Sequence, residues 1–258
     1  MKWHKISALM QRDYLVVKRS KWRLIEIFYF PITTIIIWGI FALYSAQFAA
    51  EAGLIILAVN VFWAFSIQSQ QHVNLQMNED VWSGSLKQIL SSGISEFEYL
   101  VARVITSISI SFLIVSILLA LSLLFGLSFI LTNTVETLII LVGVFIASIG
   151  LSILTAGLIT FFGREYTFLA WTVLQMFILF SAPFFPVEML GPLQPIAWIM
   201  PYTRMFAAIR DLVTLGSTNF YMLYESLGIA IVYIFAALPF YKYAFKRARR
   251  TGKLIEMG

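Results

Sequence analysis

Few side chains in this 258-residue chain could do chemistry. There is no cysteine, which excludes thiol nucleophiles, thiolate-bound metals and disulfides. The two histidines, His4 and His72, lie far apart in sequence and do not make a metal-binding pair. No glycine-rich phosphate loop, HExxH or Ser/His/Asp arrangement occurs. Three other groups remain. The first is an acidic pair, Glu79 and Asp80, with Asn78 before it. The second is a set of amides in an apolar run, Asn60, Gln68, Gln71 and Asn74. The third is a pair of isolated arginines, Arg204 and Arg210, with Glu188 upstream. Such groups form ion pairs and hydrogen bonds rather than covalent intermediates. The expectation is a chain with no catalytic site, no metal and no cofactor of its own.

The elements that must position these groups are set by composition. The chain is 60% apolar and only 12% charged, with a mean hydropathy of +0.87. A soluble domain carries about 25% charged residues. An all-α polytopic membrane protein follows, forming one transmembrane domain over residues 1–258. A span needs about 20 mostly apolar residues, and six candidates occur at 25–47, 53–75, 100–127, 136–162, 167–183 and 221–241. With six spans both ends share one side, and sixteen of the eighteen Lys and Arg residues fall there, with Arg103, Arg164 and Lys87 counted in its loops. The positive-inside rule makes that side the cytosol of a cell inner or plasma membrane. The basic rim then meets anionic lipid, and the sequence pI of about 9.4 gives no reason to expect nucleic acid.

Two cytosolic elements stand out. In residues 1–22, Trp3, Ile6, Met10, Tyr14 and Val17 share one helical stripe, with Lys5, Arg12 and Arg19 opposite. This is an amphipathic interface helix. In the loop 79–97, Asn78, Glu79 and Asp80 would sit at the positive end of a helix starting near Val81. Gly93 ends that helix, and Ser95 with Glu98 forms a capping box that opens the next span. Both helices carry apolar faces, and lipid or a partner protein must cover them.

The order of these elements resembles the permease subunits of ABC-2 type exporters. In the stretch "NEDVWSGSLKQIL", Glu79, Asp80, Gly84, Ser85 and Leu86 stand where that family has an acidic pair followed by Gly-Thr-Leu. In "SAPFFPVEMLGPLQPIAWIMPYTRMFAAIRDL", Phe185, Pro186, Pro201 and Arg210 match its outer segment, with Met200 in place of the usual Asn. The resemblance implies that Val81–Leu90 is a coupling helix seated in a cleft of a separate ATPase subunit, with Trp82 or Leu86 as anchor. ATP and Mg would be bound by that partner. The permease would pair with a copy of itself or with a similar chain, each supplying half of an export route.

For the amides the alternatives are hydrogen bonding between helices and the wall of a substrate path. Residues 183–203 hold five prolines and are too broken for a span and too apolar for a solvated loop. They fit an outer re-entrant hairpin whose backbone is satisfied by protein or water. On the helix after it, Arg204 would face water beside Asp211. Arg210 would be partly buried and need a partner, such as Glu188 or the carbonyl end of a hairpin helix. The rival functions are a carrier driven by an ion gradient and a membrane scaffold without transport.

Overall fold

Every regular element among the described residues is a helix. The computed structural model describes residues 2–163 and 168–251, without the side chain of Trp82. The Trp82 anchor, Arg164 and Lys253 therefore lie outside the described residues. The long helices are α2 (Lys21–Trp82), α4 (Glu96–Leu123), α6 (Thr134–Phe162) and α10 (Phe220–Arg250). Each is long and apolar enough to cross a membrane. Between and around them run α1 (Trp3–Arg19), α3 (Ser85–Ser91), α5 (Phe129–Thr132), α7 (Leu169–Phe180), α8 (Gln194–Ile199) and α9 (Thr203–Thr214).

The 62 residues of α2 would extend about 90 Å if straight, some three times a bilayer's hydrocarbon core. They do not run straight. Ala49 has the extended angles φ −156°, ψ 74°, and the chain turns back there. Arg23 near the start of α2 pairs with Glu79 near its end. Gly53 lies so close to the first half that a Cβ would meet the Ala42 Cα at 2.9 Å. The two expected spans at 25–47 and 53–75 therefore fall on two helices that meet at a sharp reversal at Ala49 rather than through a loop, and α2 denotes both of them. The expected span at 167–183 is shorter than its apolar run. Its helix, α7, has 12 residues and a length of about 18 Å.

Small residues set the closest contact, between α6 and α10. Gly143, Gly150 and Gly157 recur every seven residues along α6 and face α10 or its neighbour Met205. A Cβ on Gly150 would come within 3.3 Å of the Ile234 backbone nitrogen. Membrane helices associate through such close approach because lipid supplies little hydrophobic drive between them. Gly150→Leu is expected to separate the pair and cost about 1–3 kcal/mol through overpacking. The measurement is thermal stability of the purified chain in detergent, and an unchanged melting point would remove this contact from the list of what holds the bundle.

Buried apolar side chains form one large cluster through the middle of the bundle. A second lies where α1 begins and α10 ends, around Ile6, Val73, Tyr99 and Tyr241. A third, small one lies at the opposite end, where Ala182, Val187 and Ala197 meet Phe185, Leu190 and Trp198. The end with the second cluster is the basic end, since it holds the lysines and arginines of α1 and the arginines of the last turn of α10, and the opposite one is the far end.

Candidate functional site

At the basic end one guanidinium joins three helices. Arg103, two turns into α4, is fully buried. Its two terminal nitrogens pair with Asp13 of α1 and Asp80 of α2. Asp80 also accepts from Arg12 at 2.7 Å, Tyr99 Oη at 2.8 Å and Ser85 Oγ at 2.9 Å. The Arg103 guanidinium stacks 4.7 Å above the Tyr99 ring. Beside this group Arg23 pairs with Glu79. Three arginines thus face three carboxylates. Removing such charges from water costs several kcal/mol each, and mutual pairing offsets that only when every partner is present.

This arrangement corrects the expected loop. Glu79 and Asp80 do not start a helix; they lie in the last turn of α2, where acids oppose the helix dipole. Arginines from α1, α2 and α4 supply the compensation. The expected helix from Val81 to Leu90 is a turn at Ser83 and Gly84 followed by α3, Ser85–Ser91. Gly84 has φ +67°, a left-handed conformation that favours glycine. Leu86 does not point outward as an anchor. It is buried with Ile89 in the cluster that also holds Ile6 and Leu9, and the exposed face of α3 is Lys87, Gln88 and Ser91.

The stripe of α1 is also rotated from expectation. Its buried residues are Ile6, Leu9, Asp13 and Val17, while Trp3 and Tyr14 are exposed and Met10 is half-buried. Arg12 turns toward the acids rather than away, and Arg19 is exposed. The first turn is tied to α4: the Lys2 amide donates to Glu98 at 2.6 Å, and Lys5 Nζ donates to the Gly93 carbonyl. Glu98 completes a capping box with Ser95. Its carboxylate thus accepts from the Lys2 amide and from the Ser95 amide, the latter at 3.1 Å.

Above this group a cavity of about 410 Å³ opens between the two halves of α2 and reaches Trp171 of α7. Gln68, Gln71, His72, Gln76, Arg23 and Glu26 line its polar part, and Ile27, Phe30, Ile35 and Ile67 line its apolar part. Asn60 lies in the wall with its amide donating to the Ile56 carbonyl at 2.8 Å. Asn74 does not face this space. Its amide turns to Thr155 of α6 at 3.4 Å. Gln76, absent from the sequence-derived set, is buried with neither amide atom partnered among the described residues. It also lines a second, charged cleft of about 290 Å³ with Arg12, Asp13 and Glu79.

The ABC-2 type transporter family model matches residues 4–214, a stretch that runs from α1 through α9. The chain belongs to the ABC-2 type transporter family. A search of curated proteins gives no match. Members of this family are the permease components of transporters, and they generally pair with ABC ATPase subunits. With its long apolar helices, the permease is a multi-pass membrane protein.

At the far end of the permease Arg204 departs from its expected surroundings, while Arg210 is part-buried as expected and finds carbonyl partners. Arg204 does not face water beside Asp211; its Nε donates to Glu225 of α10 at 2.7 Å. Arg210 has no ion pair with Glu188 among the described residues, and its Nη1 donates to the Ala182 carbonyl at 2.6 Å and the Pro183 carbonyl at 3.2 Å. Ala182 closes α7 with φ +46°, which is uncommon for a residue with a Cβ. The guanidinium holds the carbonyls of that strained turn. Burial lowers the Arg210 pKa, and the charges of Asp211 and then Glu188 oppose that shift.

Proposed function

We propose that this permease carries an amphipathic cargo out of the cytosol, driven by separate ATPase subunits that bind ATP and Mg. In this reading it spans the membrane six times, with the doubled α2 as spans one and two and α7 with its flanks as span five. The basic end is cytosolic, and the segment 183–203 re-enters the outer leaflet. Two such chains, identical or similar, enclose the route, and none of the chemistry is done on this chain.

The observation that carries the reading is the ionic assembly at the basic end. Asp80 binds groups from α1, α3 and α4 at once, so the short α3 is fastened to two spans and to the interface helix. A push on α3 then moves the spans rather than bending a loop. That is the mechanical property required of an element receiving motion from an ATPase. The polar face of Lys87, Gln88 and Ser91 is left free to receive it. The test is co-production of the chain with its candidate ATPase subunits, followed by ATP-dependent transport in inverted vesicles. Transport that continues with an ATPase unable to hydrolyse ATP would reject the reading.

The cavity between the halves of α2 is the proposed loading site. Its segregation of amides from aliphatic and aromatic groups suits a molecule with one polar and one apolar part. A buried amide without partners loses hydrogen bonds that a ligand or water restores, at about 1–3 kcal/mol per unsatisfied group. Gln71→Leu combined with Gln76→Leu is expected to lower transport about tenfold while folded yield is kept. Full transport by the double variant would move the loading site elsewhere.

A further inference from the structure

The far end holds a groove that the proposed route does not use. It has a volume of about 590 Å³ and lies between α8, the start of α9 and the first turns of α10. One end is charged, where Arg204 meets Glu225. From there the wall continues along α10 through Gly228, Ile229 and Val232, with Ile199 on the other side. Glu225, Gly228 and Val232 are spaced three and four apart, so they share one face of the helix. The groove therefore runs about 10 Å along the helix, from a charge pair into the apolar length of a span.

The floor is open at Gly228, where an added Cβ would meet nothing within 4 Å. The charged end is held in place but not used up. Arg204 spends its Nε on Glu225 and its Nη1 on the Trp198 carbonyl at 2.7 Å. Its guanidinium lies 5.1 Å over the Trp198 ring. Arg204 Nη2 and Glu225 Oε1 have no hydrogen-bond partner among the described residues. A fixed donor and a fixed acceptor of opposite charge thus stand side by side at the head of an apolar channel. The Arg204 side chain is only 16% exposed and that of Glu225 35%, so both are partly withdrawn from water.

We propose that this groove is a binding site for a zwitterionic phospholipid of the far-end leaflet. The phosphate sits on Arg204, the ammonium on Glu225, and one acyl chain lies over Gly228 toward Val232. Complementarity selects the headgroup. A lipid with a net negative head would bring a second anion or a bare hydroxyl to Glu225, and a cationic amphiphile would bring its charge to Arg204. Only a head with both signs joined by a short link answers both groups. The proposal is independent of the direction of transport and of the ATPase.

The full-length chain, extracted with mild detergent, is exposed to equal amounts of phosphatidylethanolamine and phosphatidylglycerol. Retained lipid is then measured by native mass spectrometry. The expected result is about tenfold preferential retention of phosphatidylethanolamine, the scale of one charge-assisted hydrogen bond. Glu225→Gln is expected to abolish that preference by removing the carboxylate that pairs with the ammonium. Gly228→Leu, which has room for its side chain, is expected to block the acyl channel and lose the retained lipid while keeping the wild-type melting point. Equal retention of the two lipids by the native chain overturns the proposal. So does retention unaffected by Gly228→Leu in folded protein, which would mean the lipid is held elsewhere. Unaltered preference in Glu225→Gln overturns the headgroup assignment even if a lipid is bound.

Discussion

Arg103→Met is expected to leave little folded protein. The variant removes the fully buried one of the two cations that Asp13 and Asp80 share and leaves both carboxylates to the half-exposed Arg12. Breaking a buried ion pair from one side costs about 3–5 kcal/mol, because the abandoned charge remains buried. Here the loss also frees α1 and α3, which Asp13 and Asp80 fasten to the bundle. The measurement is the monodisperse fraction after detergent extraction, with thermal stability of whatever survives. A second variant shows whether charge or packing is at fault. Arg103→Met together with Asp13→Asn and Asp80→Asn removes the three most deeply buried charges together, and apolar or neutral replacements of a whole cluster are often tolerated. The triple variant is therefore expected to recover most of the folded yield. Near-native stability of Arg103→Met alone would show that the three charges do not hold the basic end together.

The same cluster shows what could and could not be read in advance. The long helices were legible because runs of apolar residues fold in only a few ways, and the capping box at Ser95 and Glu98 is a local signal within four residues. The break at Ala49 was legible to within a few residues, since Glu51 and Gly53 interrupt the apolar run there. Asp13 was not, although it sits in the series Ile6, Leu9, Asp13, Val17, where an acid on an apolar stripe signals a hidden partner. The matching signal was Arg103 inside the apolar start of α4. Each was visible, but their pairing spans 90 positions and depends on how α1 packs on α4. Choosing the stripe by hydrophobicity alone favoured Trp3 and Tyr14, and burial went instead to the side carrying the ion pair. Arg204 fails for a similar reason. It does lie away from the buried face of α9, but α10 occupies that side and supplies Glu225. Of the amides, Asn60, Gln68 and Gln71 line the cavity and Asn74 does not, a division that one shared face could not resolve.

Reversing the exposed face of α3 is expected to disconnect transport from ATP hydrolysis without disturbing the fold. Lys87 is the only charged residue from Ser83 to Ser92, and with Gln88 it points away from the bundle. If an ATPase subunit receives α3, its cleft must meet a polar surface with one positive charge rather than a leucine. Lys87→Glu with Gln88→Glu places two like charges where one acid is expected opposite. A central polar contact of this kind is worth about 2 kcal/mol or more, which corresponds to about thirtyfold weaker binding of the ATPase. Stability is expected to stay within about 0.5 kcal/mol of the native chain, because neither side chain is buried. Leu86→Glu behaves differently. It drives a carboxylate into the cluster with Ile6, Leu9 and Ile89, so its transport defect arrives together with a lower melting point. Comparing the two separates docking from folding in one experiment. The readouts are ATPase recovery in a pull-down and the ratio of cargo moved to ATP consumed. Wild-type recovery and an unchanged ratio in the Lys87→Glu, Gln88→Glu chain would mean that the ATPase is received by some other part of the basic end. The exposed side of α1, with Trp3, Tyr14 and Arg19, would then become the surface to test.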